Sequence, residues 1–250
     1  MKSPNGTGAV IAVAALTALA GCSSSSGSED NAPEMDALGP SVTVPSNDSA
    51  APGLGDEALR PLLLTAAELP VGFVPLPDPE QDLGLPPADD TSETDKSATD
   101  PRECAAVLAP VAQQSAGAVG SASSMFSGPN FSSFDQDIAS YGDNEATARA
   151  FETVQDTLSR CGEYTGTDVD GIDITYRLGA RDQEPVGDAS VAFRLVTSSE
   201  GLTLTSDVVI AVVGNNIVQM AAAGQTEIDP GVFADTTKKA VEKVAVRPAS

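Results

Sequence analysis

The sequence predicts an α+β domain in which an antiparallel sheet of about five strands carries packed helices, preceded by a signal peptide and a disordered tether. Three observations predict it. Apolar and polar residues alternate through 172–178 and 191–195, the period of half-buried strands. Residues 202–213 and 217–223 form a longer apolar pair around Gly214-Asn215-Asn216, which suits a hairpin turn. Through 144–161 the apolar residues Ala148, Phe151, Val154, Leu158 and Cys161 instead step by three and four, the period of an amphipathic helix.

From the N-terminus, an apolar run beginning near Ala9 follows Lys2 and ends in Leu19-Ala20-Gly21-Cys22. Such a run is an export signal, too short to span a bilayer. A cysteine directly after Leu-Ala-Gly resembles the lipobox of bacterial lipoproteins, where cleavage precedes the Cys and its sulfur takes a diacylglycerol, with acyl chains such as palmitate. Residues 1–21 are then the lipoprotein signal peptide and Cys22 the lipidated residue. Residues 22–56 are rich in Ser, Pro, Gly, Ala and Asp and poor in large apolar side chains. They read as a flexible tether, and 57–250 as a single domain. The expected location is the extracytoplasmic face of the cell membrane, held by lipid.

Charge and cysteine usage narrow the function. The chain carries a formal charge of -23, which disfavours nucleic acid and anionic lipid surfaces as electrostatic partners. Of three cysteines, assigning Cys22 to lipid leaves Cys104 and Cys161. In an oxidising compartment this parity predicts one disulfide, the alternative being two buried thiols. The chain has no histidine, so His-based triads, His-ligated zinc and a His general base are excluded. No motif supports another catalytic residue, a metal or a cofactor, and the chain reads as non-enzymatic.

Along the domain, Thr65 followed by Glu68 forms a capping box for a short helix ending before Pro70. Residues 74–99, dense in Pro, Asp and Glu, read as disordered. Asp100-Pro101-Arg102-Glu103 repeats the helix-start signal, with Asp100 as N-cap and Cys104, Val107, Leu108 and Val111 on an inward face. Residues 115–129 are small and Gly-rich, and 131–141 read as a strand of imperfect alternation. Asp143 caps the helix over 144–161. Asp229-Pro230 opens a C-terminal helix with Phe233, Val241 and Val244 inward and Lys238, Lys239 and Lys243 outward.

Two constellations bear on function. Asp168-Val169-Asp170-Gly171-Ile172-Asp173 suggests a calcium loop, but Gly179 stands where the bidentate Glu belongs, so the stretch reads as an acidic turn. In the 202–223 hairpin, Val208, Ile210 and Val212 share a face with Ile217, Gln219 and Ala221. Val209, Ala211, Val213, Val218 and Met220 share the other, so the hairpin is apolar on both sides. Either a segment such as 59–73 covers the second face, or those five residues line a cleft for an apolar ligand or protein partner.

Several stretches together carry a resemblance: Leu62-Leu63-Leu64-Thr65 with Leu69-Pro70-Val71-Gly72-Phe73, Glu103-Cys104-Ala105-Ala106, Ile138-Ala139-Ser140-Tyr141, and the helix ending in Cys161. Over roughly residues 57–247 the chain resembles actinobacterial lipoproteins whose domain is similar to the extracellular sensor domain of PknH-type Ser/Thr kinases. The resemblance implies an antiparallel sheet flanked by helices, with a ligand-binding cleft. The chain departs from that group in having one candidate disulfide instead of two and no tryptophan. The reading is an envelope lipoprotein that binds a ligand or partner through a sensor-like domain, the alternative being a carrier of lipid or another apolar molecule between membrane and wall.

Overall fold

The computed structural model describes residues 35–46, 52–77 and 95–246. The expected signal peptide, Cys22 and residues 78–94 lie outside them. Thirteen elements frame the fold: α1 (Asp56–Leu59), β1 (Val74–Leu76), β2 (Ala98–Asp100), α2 (Val111–Gln114), β3 (Ala118–Ser127), β4 (Ser133–Tyr141), α3 (Asn144–Arg160), β5 (Glu163–Thr167), β6 (Asp173–Ala180), β7 (Ala189–Ser199), β8 (Leu202–Val213), β9 (Asn216–Gly224) and α4 (Pro230–Ala245). Among the described residues the strands form one antiparallel sheet of nine, not about five, ordered β1-β3-β4-β9-β8-β7-β6-β5-β2.

The two-sided hairpin lies inside this sheet. Gly214, at φ +58, opens the turn, and Val209 pairs with Met220 and Ala211 with Val218. Because opposite residues share a face, the hairpin separates two cores. On the first face Val208, Ile210, Val212 and Ile217 pack with Phe151, Val154 and Leu158 of α3 and with Cys104, Val107 and Val111. On the second face Val209, Ala211, Val213, Val218 and Met220 pack with Phe233, Val241 and Val244 of α4 and with Leu59, Leu62, Leu64 and Leu69.

Polar anchors hold the N-terminal segment on the second face. Leu64 N–H donates to the buried Gln136 side chain (2.6 Å), and Lys243 donates to Leu63 O (2.7 Å) and to Glu68 (2.8 Å). Burial opposes ionisation of Glu68, but hydrogen bonds from Lys243 and Thr65 outweigh it and hold its carboxyl below the ordinary value. Behind them Arg194 grips Asp207 with two hydrogen bonds, while the buried Arg181 guanidinium lies 4.6 Å from the Phe233 ring centre.

Several expectations are corrected. Asp100 belongs to β2, paired with Thr165, and therefore does not cap; the following turn, Arg102–Leu108, is a 3₁₀ helix. β3, β1, β2 and β5 add four strands that short length or small side chains concealed. Near 65–68 the expected capping box does form: the Glu68 carboxylate accepts from Thr65 N–H and Oγ1, and the short helix that ends before Pro70 is a single 3₁₀ turn. Residues 35–46, assigned to the tether, pack on the domain, with Leu38 and Val44 against the first core. A little further on, Leu54 N–H donates to Ser140 Oγ (2.8 Å), so the fold begins before residue 57.

Cys104 and Cys161 form the disulfide, tying the 3₁₀ helix to the end of α3. Both are buried, so the bond constrains the chain and fills the first core together. A Cys104→Ala/Cys161→Ala variant is expected to lose about 2–4 kcal/mol of stability. Urea unfolding measures it, and an unchanged unfolding free energy would show that the bond contributes nothing.

Candidate functional site

At the β1–β3 margin of the first face, beside α2, exposed side chains leave a shelf that reaches onto β4 and β9. Strand register places Ser123, Asp137 and Gln219 in one row across β3, β4 and β9. The next row runs Leu76, Met125, Asp135 and Ala221. Leu76 on the edge strand β1 and Met125 on β3 beside it are 43% and 50% exposed, an apolar pair open to solvent at the margin of the sheet.

Polar groups under the shelf are fixed from the helix side. Gln114 of α2 donates to Ala109 O (2.7 Å) and to Gln219 Oε1 (2.6 Å), and Gln219 donates to Ala109 O and to Asp137 Oδ2 (both 3.3 Å). Asp137 is thus oriented by a buried amide relay. Burial pushes its carboxyl up, against hydrogen bonds from Ser123 and Gln219. For Asp135, burial is again the main cause, offset by a hydrogen bond from Ser133 (3.0 Å) and reinforced by the charge of Asp137, and its pKa rises to about 6. Oδ1 of Asp135 is buried without a hydrogen-bond partner. Two acceptors poised beside exposed apolar side chains suit a ligand that brings hydrogen-bond donors on an apolar frame. A separate hollow of about 360 Å³ lies between residues 183–187 and α4, lined in part by Glu184, Asp235, Lys238 and Glu242.

The structure places the five hairpin residues elsewhere than on a cleft. Val209, Ala211, Val218 and Met220 are at most 1% exposed and Val213 is 9%. α4 and Leu59–Leu69 cover them because an apolar hairpin face open to water would be unstable. Asp168 spends its carboxylate on its own turn, accepting from the N–H groups of Asp170 and Ile172 (both 2.9 Å). Tyr164 and Tyr176 stack at 4.5 Å, and Tyr141 is buried against Ser115. Asp135 and Asp137 were not singled out in the sequence. Their signal was the imperfect alternation of β4: two acids share a face with the buried Ala139 and Tyr141, opposite Phe134 and Ile138.

An antiparallel sheet with helices on both faces, braced on one of them by a disulfide, defines a layered α+β domain. The chain belongs to the PknH-like extracellular domain family, whose profile matches residues 54–247. Its structure is similar to the crystal structure of the extracellular domain of PknH from Mycobacterium tuberculosis, with a TM-score of 0.56 and 16% identity over 78% of this chain and 98% of that one. A more distant likeness is to an uncharacterised protein from Mycobacterium smegmatis, with a TM-score of 0.38 and 12% identity over 72% of this chain and 93% of the other. No curated protein matches the chain. Among the described residues no helix is long and apolar enough to cross a membrane.

A native-state pKa near 6 for Asp135, above the 3.8 of a free Asp, means the folded protein binds the proton more tightly than the unfolded chain. Ionised Asp135 therefore destabilises the fold above pH 6, and this penalty is relieved as the pH falls from 6 towards 4. Asp135→Asn is expected to raise stability at pH 7.5 by roughly 1–3 kcal/mol and to flatten the stability profile between about pH 6 and 4. Thermal melts across that range decide it, and a variant that keeps the wild-type slope would refute the assignment.

Proposed function

We propose that this protein is a non-catalytic, lipid-anchored sensor-like protein of the cell envelope that binds its ligand on the shelf of β1, β3, β4 and β9. The observation that carries the reading is the pairing of exposed Leu76 and Met125 with the oriented, half-buried carboxylates of Asp135 and Asp137. Carboxylates desolvated without a cation partner are costly to keep. A ligand with amine or hydroxyl donors would relieve that cost, and the chain's net charge of -23 favours a neutral or cationic one. Fragments of the cell wall that bear amino groups and sugar hydroxyls have this chemistry.

Anchoring rests on Leu19-Ala20-Gly21-Cys22, with Cys22 lipidated. The family's extracellular placement supports a position outside the membrane. Transport of lipid is less favoured, because the apolar interior next to Val209, Val218 and Met220 is filled by α4 and Leu59–Leu69.

The test uses a soluble peptidoglycan digest as probe. Amide shifts at Ser123, Asp135, Asp137 and Gln219 should saturate with the digest, and Met125→Asp or Asp137→Asn should weaken binding about tenfold or more while the fold stays intact. Shifts confined to other surfaces would contradict the shelf. For the anchor, intact mass of protein purified from its own envelope should show a lipid on Cys22, and Cys22→Ala should leave the membrane fraction; an unmodified, membrane-bound Cys22 would overturn it.

A further inference from the structure

The segment 35–46 packs on the first face through Leu38 and Val44 without regular secondary structure, bending at Pro40. β5 pairs with β6 only as far as Arg177, opposite Glu163. Beyond that point Leu178 N–H donates to Gly162 O, and Ala180 N–H donates to Asp36 O (2.7 Å). The strap thus takes up the strand position that β5 vacates. Gly179 makes this approach possible: a Cβ there would stand 2.5 Å from the Met35 Cβ and 2.7 Å from Asp36 O.

Further along, α3 grips the strap by its backbone. Val42 N–H donates to Gln155 Oε1 (2.7 Å), and Gln155 Nε2 donates back to Val42 O (3.0 Å). Gln155 is only 7% exposed and stands on the buried stripe of α3 with Phe151, Val154 and Leu158. A polar side chain there is stable because both ends of its amide meet the strap. Leu38 and Val44 add apolar anchors against the first core, while Asp36, Val42 and the intervening backbone stay exposed. Backbone pairing to a strand end, a side-chain amide reading a peptide unit and two apolar contacts are the chemistry by which proteins bind extended peptides.

We infer that the groove between α3 and the end of β6 is a peptide-binding site whose resident ligand is the chain's own segment 36–44, docked as a releasable latch. The strap has no helix or strand of its own and is exposed except at Met35, Leu38 and Val44, so its docking is of low local stability and open to displacement. Tethering keeps it in place by raising its effective concentration. An extended peptide with the same apolar pattern, including the strap of a second copy, competes for the groove. If Cys22 carries the lipid, as proposed above, docking holds the domain to the membrane from residue 36, and release lets it stand off from Leu54, where the next hydrogen bond to Ser140 begins.

The experiment uses the purified full chain in detergent and a labelled synthetic peptide of residues 35–46. The latch assay does not depend on whether Cys22 is lipidated, so its failure and that of the anchoring reading are distinguishable. In the wild type the amides of Val42 and Ala180 should be protected from exchange and the peptide should bind weakly. In Leu38→Asp/Val44→Asp, protection at Val42 should fall by about tenfold or more. The emptied groove should then bind the peptide saturably, and adding Gln155→Ala should weaken that binding. Gly179→Ala and Gln155→Ala, each made alone, should also release the strap, and they carry the test should the double variant not fold. Retained protection in a folded Gly179→Ala variant, or no peptide binding to a folded Leu38→Asp/Val44→Asp variant, would overturn the inference.

Discussion

Burial of the β8–β9 hairpin on both faces is the constraint on which the rest of the structure depends. Val208, Ile210 and Val212 point one way and Val209, Ala211 and Val213 the other, and none can be left in water without losing roughly 1.5–3 kcal/mol per large side chain. One layer of helices cannot satisfy both sides. The chain therefore covers the first face with the disulfide-linked pair of α3 and the 3₁₀ helix, and the second with α4 and the leucines of 59–69. Distant parts of the sequence are joined through this sheet: Lys243 near the C-terminus holds Leu63 and Glu68 near the start of the domain.

What the two layers leave uncovered is where binding is proposed. The second face closes around Phe233, with Phe134 stacked on it at 6.5 Å and Phe73 edge-on to Phe134 at 4.9 Å. On the first face Leu76 of β1 and Met125 of β3 stay exposed beside Asp135 and Asp137. The strap of residues 35–46 lies on the same face towards β6. Shelf and strap thus flank the same helix layer, and Gln219 and Gln155 are its buried polar contacts on either side.

The centre of the fold was legible in the sequence because two apolar runs around Gly214-Asn215-Asn216 mark a hairpin, and the hairpin fixes which residues share a face. The facing of Val208 through Met220, the capped helix after Asp143 and the pairing of Cys104 with Cys161 all follow from periodicity and parity. β3 was not legible. Its Ser121, Ser123 and Met125 face the open shelf, and Gly120 passes within 2.4 Å of Leu54 O if given a Cβ, so neither face of that strand shows a long apolar pattern. β1 and β2 are short edges and β5 is a short strand between β2 and β6, and pairing, not composition, makes all three strands. The strap has the composition of a linker, yet a backbone-reading Gln155 needs no particular side chain from it. For the hairpin's second face both covering and cleft were open, since alternation shows that a face is apolar and not what lies on it. Asp135 and Asp137 gained meaning only once Gln219 and Gln114 were seen to meet them.

Native-state hydrogen exchange followed residue by residue tests the central claim most directly. If the doubly buried hairpin is the pivot of the fold, amides of 208–213 and 217–222 exchange only through global unfolding, and those of β3 and the strap open far more readily. Hairpin amides that exchange as fast as those of β3 and the strap would contradict the account.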